Sequence, residues 1–312
     1  MQLLWLLPYL LVLTLVHLLR VIRWKPLLDP IVDLDLKTHN RIGAVGFMAM
    51  FLLPLRLGEL VRPYLVKIAS GGTARMTRVL STVVVERVAD GLMVSLVLCC
   101  VLLSLPAGDP ITRERLTIGA FGALAVFTLA SILLAAAHWQ HDRTVRLLQS
   151  TVGKITPVLT TKVIDLLDAF LDGLRSLPSK GAFMLFIVLT AVYWGVNGVG
   201  VWLMLQAFSM PVDLVGAYAM MACVVVGMMI PNAPGNVGSF WYFLLMPLPM
   251  YSIPHNGGTA IAFGLTVWLL QLIQQSVFGL WYIARGDVSW SQVLEATYET
   301  ETSLTTSHIS RG

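Results

Sequence analysis

Charged residues are scarce in this sequence. Asp, Glu, Lys and Arg together make up 12% of the 312 residues, whereas hydrophobic residues make up 57%. Soluble globular domains carry about 25% charged residues, so this composition excludes an ordinary soluble enzyme or binding domain and predicts a polytopic membrane protein. The net charge of +4 is small. Because the chain also lacks a basic stretch interleaved with aromatic residues, we expect no nucleic-acid partner.

Cysteine is scarce as well. Cys99, Cys100 and Cys223 all lie in apolar runs, which argues against a disulfide framework or a thiolate metal site. The sequence also lacks metal-ligand spacing, a glycine-rich phosphate loop and a dinucleotide fingerprint. No convincing nucleophile–base arrangement is present either. We therefore expect no cofactor, no metal and no catalytic residues, and we predict that the chain is not an enzyme.

Long apolar runs dominate what is present. Five of them are long enough to cross a bilayer as single helices, at 3–22, 80–105, 116–137, 181–208 and 258–284. Two further apolar stretches are interrupted: 42–69 at Pro54 and again near Arg62–Pro63, and 214–250 between Pro231 and Gly238. Non-helical backbone at membrane depth requires surrounding protein or water. The predicted fold class is therefore all-α, a membrane helix bundle with two broken or re-entrant hairpins.

The distribution of Lys and Arg predicts an orientation. If the N-terminus lies outside and each hairpin returns to its own side, nearly all of these residues are cytoplasmic, including Arg20 and Arg23 after the first span. Only Arg113 and Arg115 then remain in outer loops, as the positive-inside rule requires. The first run lacks a positive n-region and a cleavage site, so we expect an uncleaved anchor. These features predict an integral protein of the bacterial cytoplasmic (inner) membrane, with the C-terminus in the cytoplasm.

The order span–hairpin–span occurs twice, at about 1–105 and 181–285, with opposite orientation. This arrangement predicts an inverted repeat, joined by a connector over 106–180, within one transmembrane domain over 1–286. Transporters of this kind hold their substrate where the two broken elements meet.

Two segments outside the spans have their own patterns. Residues 162–177 show the apolar spacing of an amphipathic helix, either at the inner interface or packed on the bundle. The tail over 287–312 is polar and rich in Ser and Thr, so we expect it to be partly disordered.

The first hairpin carries three charged residues at helical spacing. Arg56, Glu59 and Arg62 are three residues apart and would share one helix face. A guanidinium group matches phosphate oxygens with two parallel hydrogen bonds. We therefore predict that Arg56 and Arg62 hold a lipid phosphate and that Glu59 either neutralises them when the site is empty or accepts hydrogen bonds from a headgroup. Gly58 would permit close approach of the backbone.

The next span opens with three more ionisable residues. Glu86 and Asp90 are four residues apart and share a helix face, and Arg87 lies three residues before Asp90. Charges at membrane depth are costly unless paired or used, so we predict an ion-pair network that joins Arg56 or Arg62 to Glu86 or Asp90. Two interpretations remain open. The network fastens the hairpin to the span, or it also forms part of a substrate site.

The second hairpin contains Pro231, Pro234, Gly235 and Gly238. Broken helix ends expose backbone N–H groups that bind anions, so this element is either part of a substrate site that gates from the outer side or a tight turn between helices. The last span carries three glutamines that either form interhelical hydrogen bonds or line a polar path: Gln271, Gln274 and Gln275.

At these positions the chain resembles the lysylphosphatidylglycerol synthase transmembrane-region family, also described as flippase-like membrane proteins. The resemblance depends on Pro54–Arg62, Val85–Asp90 and Pro231–Gly238 in this order, and it covers nearly the whole hydrophobic part. In this family the third motif usually continues to a glutamate a few residues later, where this chain has Trp241.

The resemblance implies the movement of a lipid or its presentation to a partner enzyme. Because the chain ends soon after its last span, it has no room for a soluble aminoacyltransferase domain, and we expect no lysine transfer to lipid. The expected function is flipping or scrambling of an anionic or zwitterionic lipid, with membrane lipids as partners. The alternatives are a non-transporting lipid-binding subunit, and a headgroup-modifying enzyme with Glu86 or Asp90 as base. A lipid-modifying enzyme or a second copy of the chain remains open as a partner.

Overall fold

The computed structural model describes residues 2–53, 57–139, 179–229 and 233–296, and every regular element in these ranges is helical. The helices are α1 (Leu6–Leu28), α2 (Leu36–Leu52), α3 (Gly58–Ala69), α4 (Met76–Leu102), α5 (Pro110–Trp139), α6 (Lys180–Ala207), α7 (Leu214–Met228), α8 (Ser239–Leu245) and α9 (Gly258–Ala284). A short helix follows over 290–296. The predicted all-α membrane bundle is confirmed.

Four helical segments of the described part are long and apolar enough to cross a membrane: Leu3–Leu28, Pro110–Ala136, Lys180–Ala207 and Gly258–Ala284. Helix α4 has 27 residues and is equally long, but Glu86, Arg87 and Asp90 interrupt its apolar sequence. Because charges at that depth must be compensated, α4 has to pack inside the bundle, and both acidic side chains are fully buried.

Helix α1 is longer than predicted, and this corrects the placement of two arginines. The helix continues past Ile22 to Leu28, so Arg20 and Arg23 lie within it and not in a segment that follows the span. Arg23 is 0% exposed. No helix-breaking residue separates Ile22 from the last turn, and arginine is a good helix former. The prediction ended the span near its first arginines, although Glu86 and Asp90 inside the bundle compensate Arg23.

The first hairpin consists of α2 and α3. The residues between the two helices, which include Pro54 and Arg56, lie outside the described part of the chain. Helix α3 runs unbroken through Arg62–Pro63, so the predicted break at this position is wrong. Proline removes one helical hydrogen bond, but neighbouring elements hold the helix together, because Val61 and Leu65 are buried in the core.

The second hairpin consists of α7, a 3₁₀ turn over Pro234–Asn236 and α8. Gly235 and Gly238 have φ angles of +70° and +84°, which side chains other than glycine rarely adopt. The predicted interruption of 214–250 is therefore present, although Pro231 lies outside the described residues. Helices α2 and α7 contain 17 and 15 residues, which correspond to about 26 and 22 Å. Both are shorter than the roughly 30 Å of bilayer hydrocarbon. Re-entry into the membrane stays a prediction.

The contacts between the two halves come in matching pairs: each contact has a counterpart in which the helices of the two halves are exchanged. Helix α1 packs on α6, its counterpart in the second half, while α2 packs on α9 and α4 packs on α7. Within each half the hairpin helices pack on each other, α2 on α3 and α7 on α8, and the hairpin packs on the following span. These pairings agree with the predicted inverted repeat, which stays a prediction.

The connector and the tail are only partly described. The predicted amphipathic helix over 162–177 lies outside the described residues. In the tail, Val288, Val293 and Ala296 are buried in the same apolar cluster as Tyr64 of α3, and the Tyr64 hydroxyl donates to Glu295 Oε2 at 2.8 Å. Residues 287–296 of the tail therefore pack on the bundle, and the expected disorder of the tail does not extend to them. Three well-spaced apolar residues suffice for packing here, because α3 offers an apolar surface next to them.

Candidate functional site

A cavity of about 180 Å³ lies between the two halves of the bundle. Helices α1, α4, α6, α7 and α9 line it, together with parts of both hairpins. Its polar and charged lining residues are Tyr9, Arg20, Glu59, Arg87, Asp90, Tyr193, Trp194, Asn197, Asn236 and Gln271. The volume accommodates several water molecules or a small polar headgroup, but not two acyl chains.

The two hairpins meet at this cavity. Met50 and Phe51 at the end of α2 and Glu59 of α3 line it from the first hairpin, and Asn236 and Phe240 line it from the second. Helix α2 also contacts the 3₁₀ turn of the second hairpin directly. The predicted symmetry places a transport site where the two broken elements meet.

Glu86 is the centre of a buried ion-pair network. Its Oε1 lies 2.8 Å from Arg23 Nη2 and 3.3 Å from Arg87 Nη2, and its Oε2 lies 2.8 Å from Arg62 Nη1. The side chains of Glu86 and Arg62 are both 0% exposed. The predicted ion pair between Arg62 and Glu86 is therefore present. Arg56 lies outside the described residues.

Asp90 extends the network across three helices. Arg23 Nη1 and Nη2 donate to Asp90 Oδ1 and Oδ2 at 2.5 and 2.9 Å, which is the two-pronged geometry of a strong guanidinium–carboxylate pair. The indole Nε1 of Trp194 also donates to Asp90 Oδ1 at 2.9 Å. Arg23 thus ties α1 to α4, and Trp194 ties α6 to the same carboxylate.

Arg62 lies inside the network and not on the cavity wall. Its side chain is fully buried, and its Cζ lies 4.7 Å from the ring centroid of Trp24 and 5.2 Å from that of Phe47, a cation–π arrangement. Gly46 of α2 provides the space for its stem, because a Cβ atom there would lie 3.2 Å from Arg62 Cδ and would overlap Cγ. Of the two arginines predicted to bind phosphate, the described one is thus engaged with Glu86.

Arg20 lines the cavity without an acidic partner. Its Cζ lies 3.8 Å from the centroid of the Phe47 ring, and its Nη2 lies 3.5 Å from Met50 Sδ. No ion pair joins Arg20 to a carboxylate among the described residues. The sequence did contain a signal for it, since Leu13, Val16 and Arg20 recur at the helical spacing of one face.

The charges around the cavity do not balance. Four described arginines face three described carboxylates, so one positive charge is in excess: Arg20, Arg23, Arg62 and Arg87 against Glu59, Glu86 and Asp90. Arg87 is also only loosely paired, at 3.3 Å from Glu86 and 3.7 Å from Asp90, and its side chain is 21% exposed. The cavity wall therefore presents two guanidinium groups to an incoming anion.

Gly58 marks the closest approach within the first hairpin. A Cβ atom at this position would overlap the backbone of Ala49 and Met50 in α2. The predicted close approach is confirmed. We expect Gly58→Ala to destabilise the folded protein by about 1–3 kcal/mol, because the backbones must move apart. Thermal unfolding in detergent measures this effect.

The control for this substitution is Gly119→Ala in α5. A Cβ atom there meets nothing within 4 Å, so the added methyl group improves helix propensity without a clash. An equal response of the two variants would contradict the role assigned to Gly58.

The second hairpin contributes a fixed turn to the cavity. Trp268 Nε1 donates to the carbonyl oxygen of Gly235 at 2.7 Å, and Trp241 packs edge-on against the Trp268 ring at 5.4 Å. These contacts support the interpretation of Pro234–Gly238 as a tight turn, while anion binding and gating by this element stay predictions. Trp241 contributes its ring to this packing.

Among the residues that the structure describes, no three His, Cys, Asp or Glu side chains form a group that could hold a metal ion.

The family model described as "Lysylphosphatidylglycerol synthase TM region" matches residues 1–279. No curated protein matches the chain, and no solved structure does.

Proposed function

Since the chain belongs to the lysylphosphatidylglycerol synthase transmembrane-region family, we propose that it moves an anionic or zwitterionic lipid between the two leaflets of its membrane. The family and the membrane-spanning helices establish an integral membrane protein with a role in membrane lipids. We further propose the bacterial cytoplasmic membrane as its location, with the N-terminus outside, as the distribution of Lys and Arg favours.

The observation that carries this proposal is the excess positive charge in a cavity where both hairpins meet. Arg20 lacks a carboxylate partner in the described structure, and Arg87 is loosely paired. A phosphate group supplies the oxygen acceptors that such guanidinium groups match. Among the described residues the excess is one positive charge, which a phosphodiester balances.

The dimensions of the cavity suit the headgroup of a lipid. At about 180 Å³, it holds a headgroup while the acyl chains stay in the bilayer. The phosphate group then crosses the low-dielectric layer in contact with arginines and not in contact with hydrocarbon. Glu59, Glu86 and Asp90 balance charge when the lipid leaves. In this proposal the hairpin element at Pro231–Gly238 gates the outer side, and rearrangement of the hairpins opens the cavity to each side in turn.

The same contacts argue against a headgroup-modifying enzyme. A general base needs a carboxylate oxygen within reach of the substrate proton. Glu86 is fully buried and surrounded by three arginines, and both oxygens of Asp90 accept hydrogen bonds from Arg23. We therefore propose that the chain transports or holds lipid without changing it chemically.

A leaflet-accessibility assay tests transport. Pure protein is reconstituted into liposomes that contain a trace of fluorescent phospholipid, and a membrane-impermeant quencher is added outside. We expect label from the inner leaflet to become accessible with the folded protein, but not with heat-denatured protein or in empty liposomes.

Protection of the inner leaflet with every lipid tested would refute transport. If lipids nevertheless co-purify with the protein in fixed stoichiometry, a non-transporting subunit that presents lipid to a partner enzyme becomes the better function. Mass spectrometry of the purified sample measures this stoichiometry.

A further inference from the structure

We propose that two segments of the chain act as clasps, one at each end of the bundle, and that release of either clasp opens the cavity to that side alone. The inner clasp is residues 287–296, which follow α9, and the outer clasp is residues 103–109, which join α4 to α5. This inference rests on the proposed function, because it assigns the opening of the cavity to each side to a particular contact.

The inner clasp packs on the first hairpin. Gly286, with a φ angle of +74°, turns the chain after α9. Val293 and Ala296 are 1% and 0% exposed, and they lie in the apolar cluster that contains Tyr64 of α3. Glu295 accepts a hydrogen bond from the Tyr64 hydroxyl at 2.8 Å. The segment after the last span of the second half thus covers the hairpin of the first half.

The outer clasp packs on the second hairpin. Leu105 is buried in the same apolar cluster as Leu248 and Met250, which belong to the 3₁₀ turn Leu248–Tyr251 that follows α8. Gly108 lies so close to this turn that a Cβ atom would overlap the backbone of Met250. The segment after the last span of the first half thus covers the hairpin of the second half, so the two clasps are counterparts in the predicted inverted repeat.

The two clasps lie at opposite ends of the bundle. The apolar cluster of the outer clasp contains Tyr9 of α1 and Leu98 of α4, and the cluster of the inner clasp contains Leu27 of α1 and Val79 of α4. On each helix these positions are about 18 residues apart, which corresponds to roughly 27 Å along the axis. Arg20, which lines the cavity, lies between the two positions on α1. The cavity therefore has one clasp on each side.

The clasps are held more weakly than the centre of the bundle. The inner clasp contributes small apolar side chains and one described hydrogen bond, whereas Arg62 in the middle of α3 is fixed by its buried ion pair with Glu86. Segments with few buried contacts open before the rest of a structure. Release of the inner clasp therefore frees the C-terminal part of α3 while the ion-pair network stays intact. Release of the outer clasp frees the end of the second hairpin in the same way.

Cysteine labelling from one side at a time tests the inference. The probe is Asn197→Cys, which places a thiol on the cavity wall. It is introduced into a full-length protein in which the three native cysteines are replaced by alanine: Cys99, Cys100 and Cys223. A membrane-impermeant maleimide is added either outside or inside vesicles that contain the protein in one orientation, and the rate of labelling measures how often the cavity opens to that side.

One substitution loosens each clasp. Val293→Asp places a charge in the inner contact and should raise labelling from the side of the C-terminus about tenfold, the change in an equilibrium that corresponds to the burial of one apolar side chain. Gly108→Val pushes the outer segment away from Met250 and should raise labelling from the opposite side by a similar factor. Neither substitution should change labelling from the other side.

Matched controls are next to the substituted residues. Ser291→Asp introduces the same charge at an exposed position of the inner clasp, and Ala107→Val introduces the same side chain at an exposed position of the outer clasp. Both should be labelled at the rate of the unsubstituted clasps.

Milder variants keep the test decisive if a clasp variant unfolds. Tyr64→Phe removes only the hydrogen bond to Glu295 and should raise labelling from the side of the C-terminus about fivefold, the effect of roughly one hydrogen bond. Gly108→Ala adds the smallest side chain that overlaps Met250 and should raise labelling from the opposite side. Thermal unfolding of each sample identifies the folded variants.

The outcomes separate this inference from the proposed function, because labelling does not depend on a lipid. Increases confined to the expected side would support the clasps even if no lipid moved in the leaflet-accessibility assay, and transport alone would then fail. Unchanged labelling in folded variants, or equal increases from both sides, would overturn the clasps while lipid movement by the same protein would leave transport standing.

Discussion

Glu86→Gln is expected to destabilise the folded protein by about 3–5 kcal/mol, the usual cost of removing one partner from a buried ion pair. The substitution preserves the shape of the side chain but removes the charge. Arg23 and Arg87 would then depend on Asp90, and Arg62 would lose the one carboxylate with which it forms a described ion pair. Thermal unfolding followed by tryptophan fluorescence in detergent measures the loss.

Two further variants make this result specific. Glu114→Gln in α5 is the control, because Glu114 is exposed and its neutralisation leaves no buried charge. Combining Glu86→Gln with Arg62→Met should recover part of the lost stability, since the second change removes an uncompensated guanidinium group. A Glu86→Gln protein as stable as the wild type would show that the network does not hold α1, α3 and α4 together.

Arg20→Gln is expected to slow lipid movement about 10- to 100-fold while the unfolding temperature stays within the range of the wild type. A hydrogen bond to a charged group contributes about 1.5–3 kcal/mol, and each 1.4 kcal/mol corresponds to about a factor of ten. The fold should tolerate the change, because Arg20 forms no ion pair with a carboxylate of the described residues and interacts through the Phe47 ring and the Met50 sulfur. The leaflet-accessibility assay and thermal unfolding are measured on the same samples.

Conservative and distant substitutions complete this test. Arg20→Lys keeps the charge but loses the planar two-pronged geometry, so its rate should fall between those of the wild type and Arg20→Gln. Arg285→Gln removes an arginine whose side chain is 56% exposed and should leave transport unchanged. Normal transport by Arg20→Gln would exclude this residue as the phosphate ligand.

Together the two variants separate the two interpretations of the intramembrane charges. If Glu86→Gln lowers stability and Arg20→Gln lowers transport alone, the buried network fastens the hairpin and the cavity arginine serves the substrate. If both variants only lower stability, all of these charges are architectural. Because the two residues belong to different helices and differ in their partners, each result can be obtained without the other.

Much of this architecture could be predicted from the sequence because the membrane imposes local rules. Apolar runs of sufficient length identified the spanning helices, and clustered prolines and glycines identified the second hairpin. The helical spacing of Glu86 and Asp90 placed both acids on one face of α4, and their cost at membrane depth predicted the ion pair with Arg62 that the structure contains. Each of these properties depends on residues within a few turns of one another.

The tertiary structure alone decided which arginines face the cavity. Arginines at the end of an apolar run can extend toward the interface or pair with a distant acid, and the sequence does not distinguish these outcomes. Arg23 pairs with Glu86, 63 residues away, which buries it in the network. Arg20, one turn earlier, is left at the cavity with an aromatic ring and a thioether. Helix packing determines which arginines pair with carboxylates. It therefore also determines that Arg20 has no carboxylate partner among the described residues.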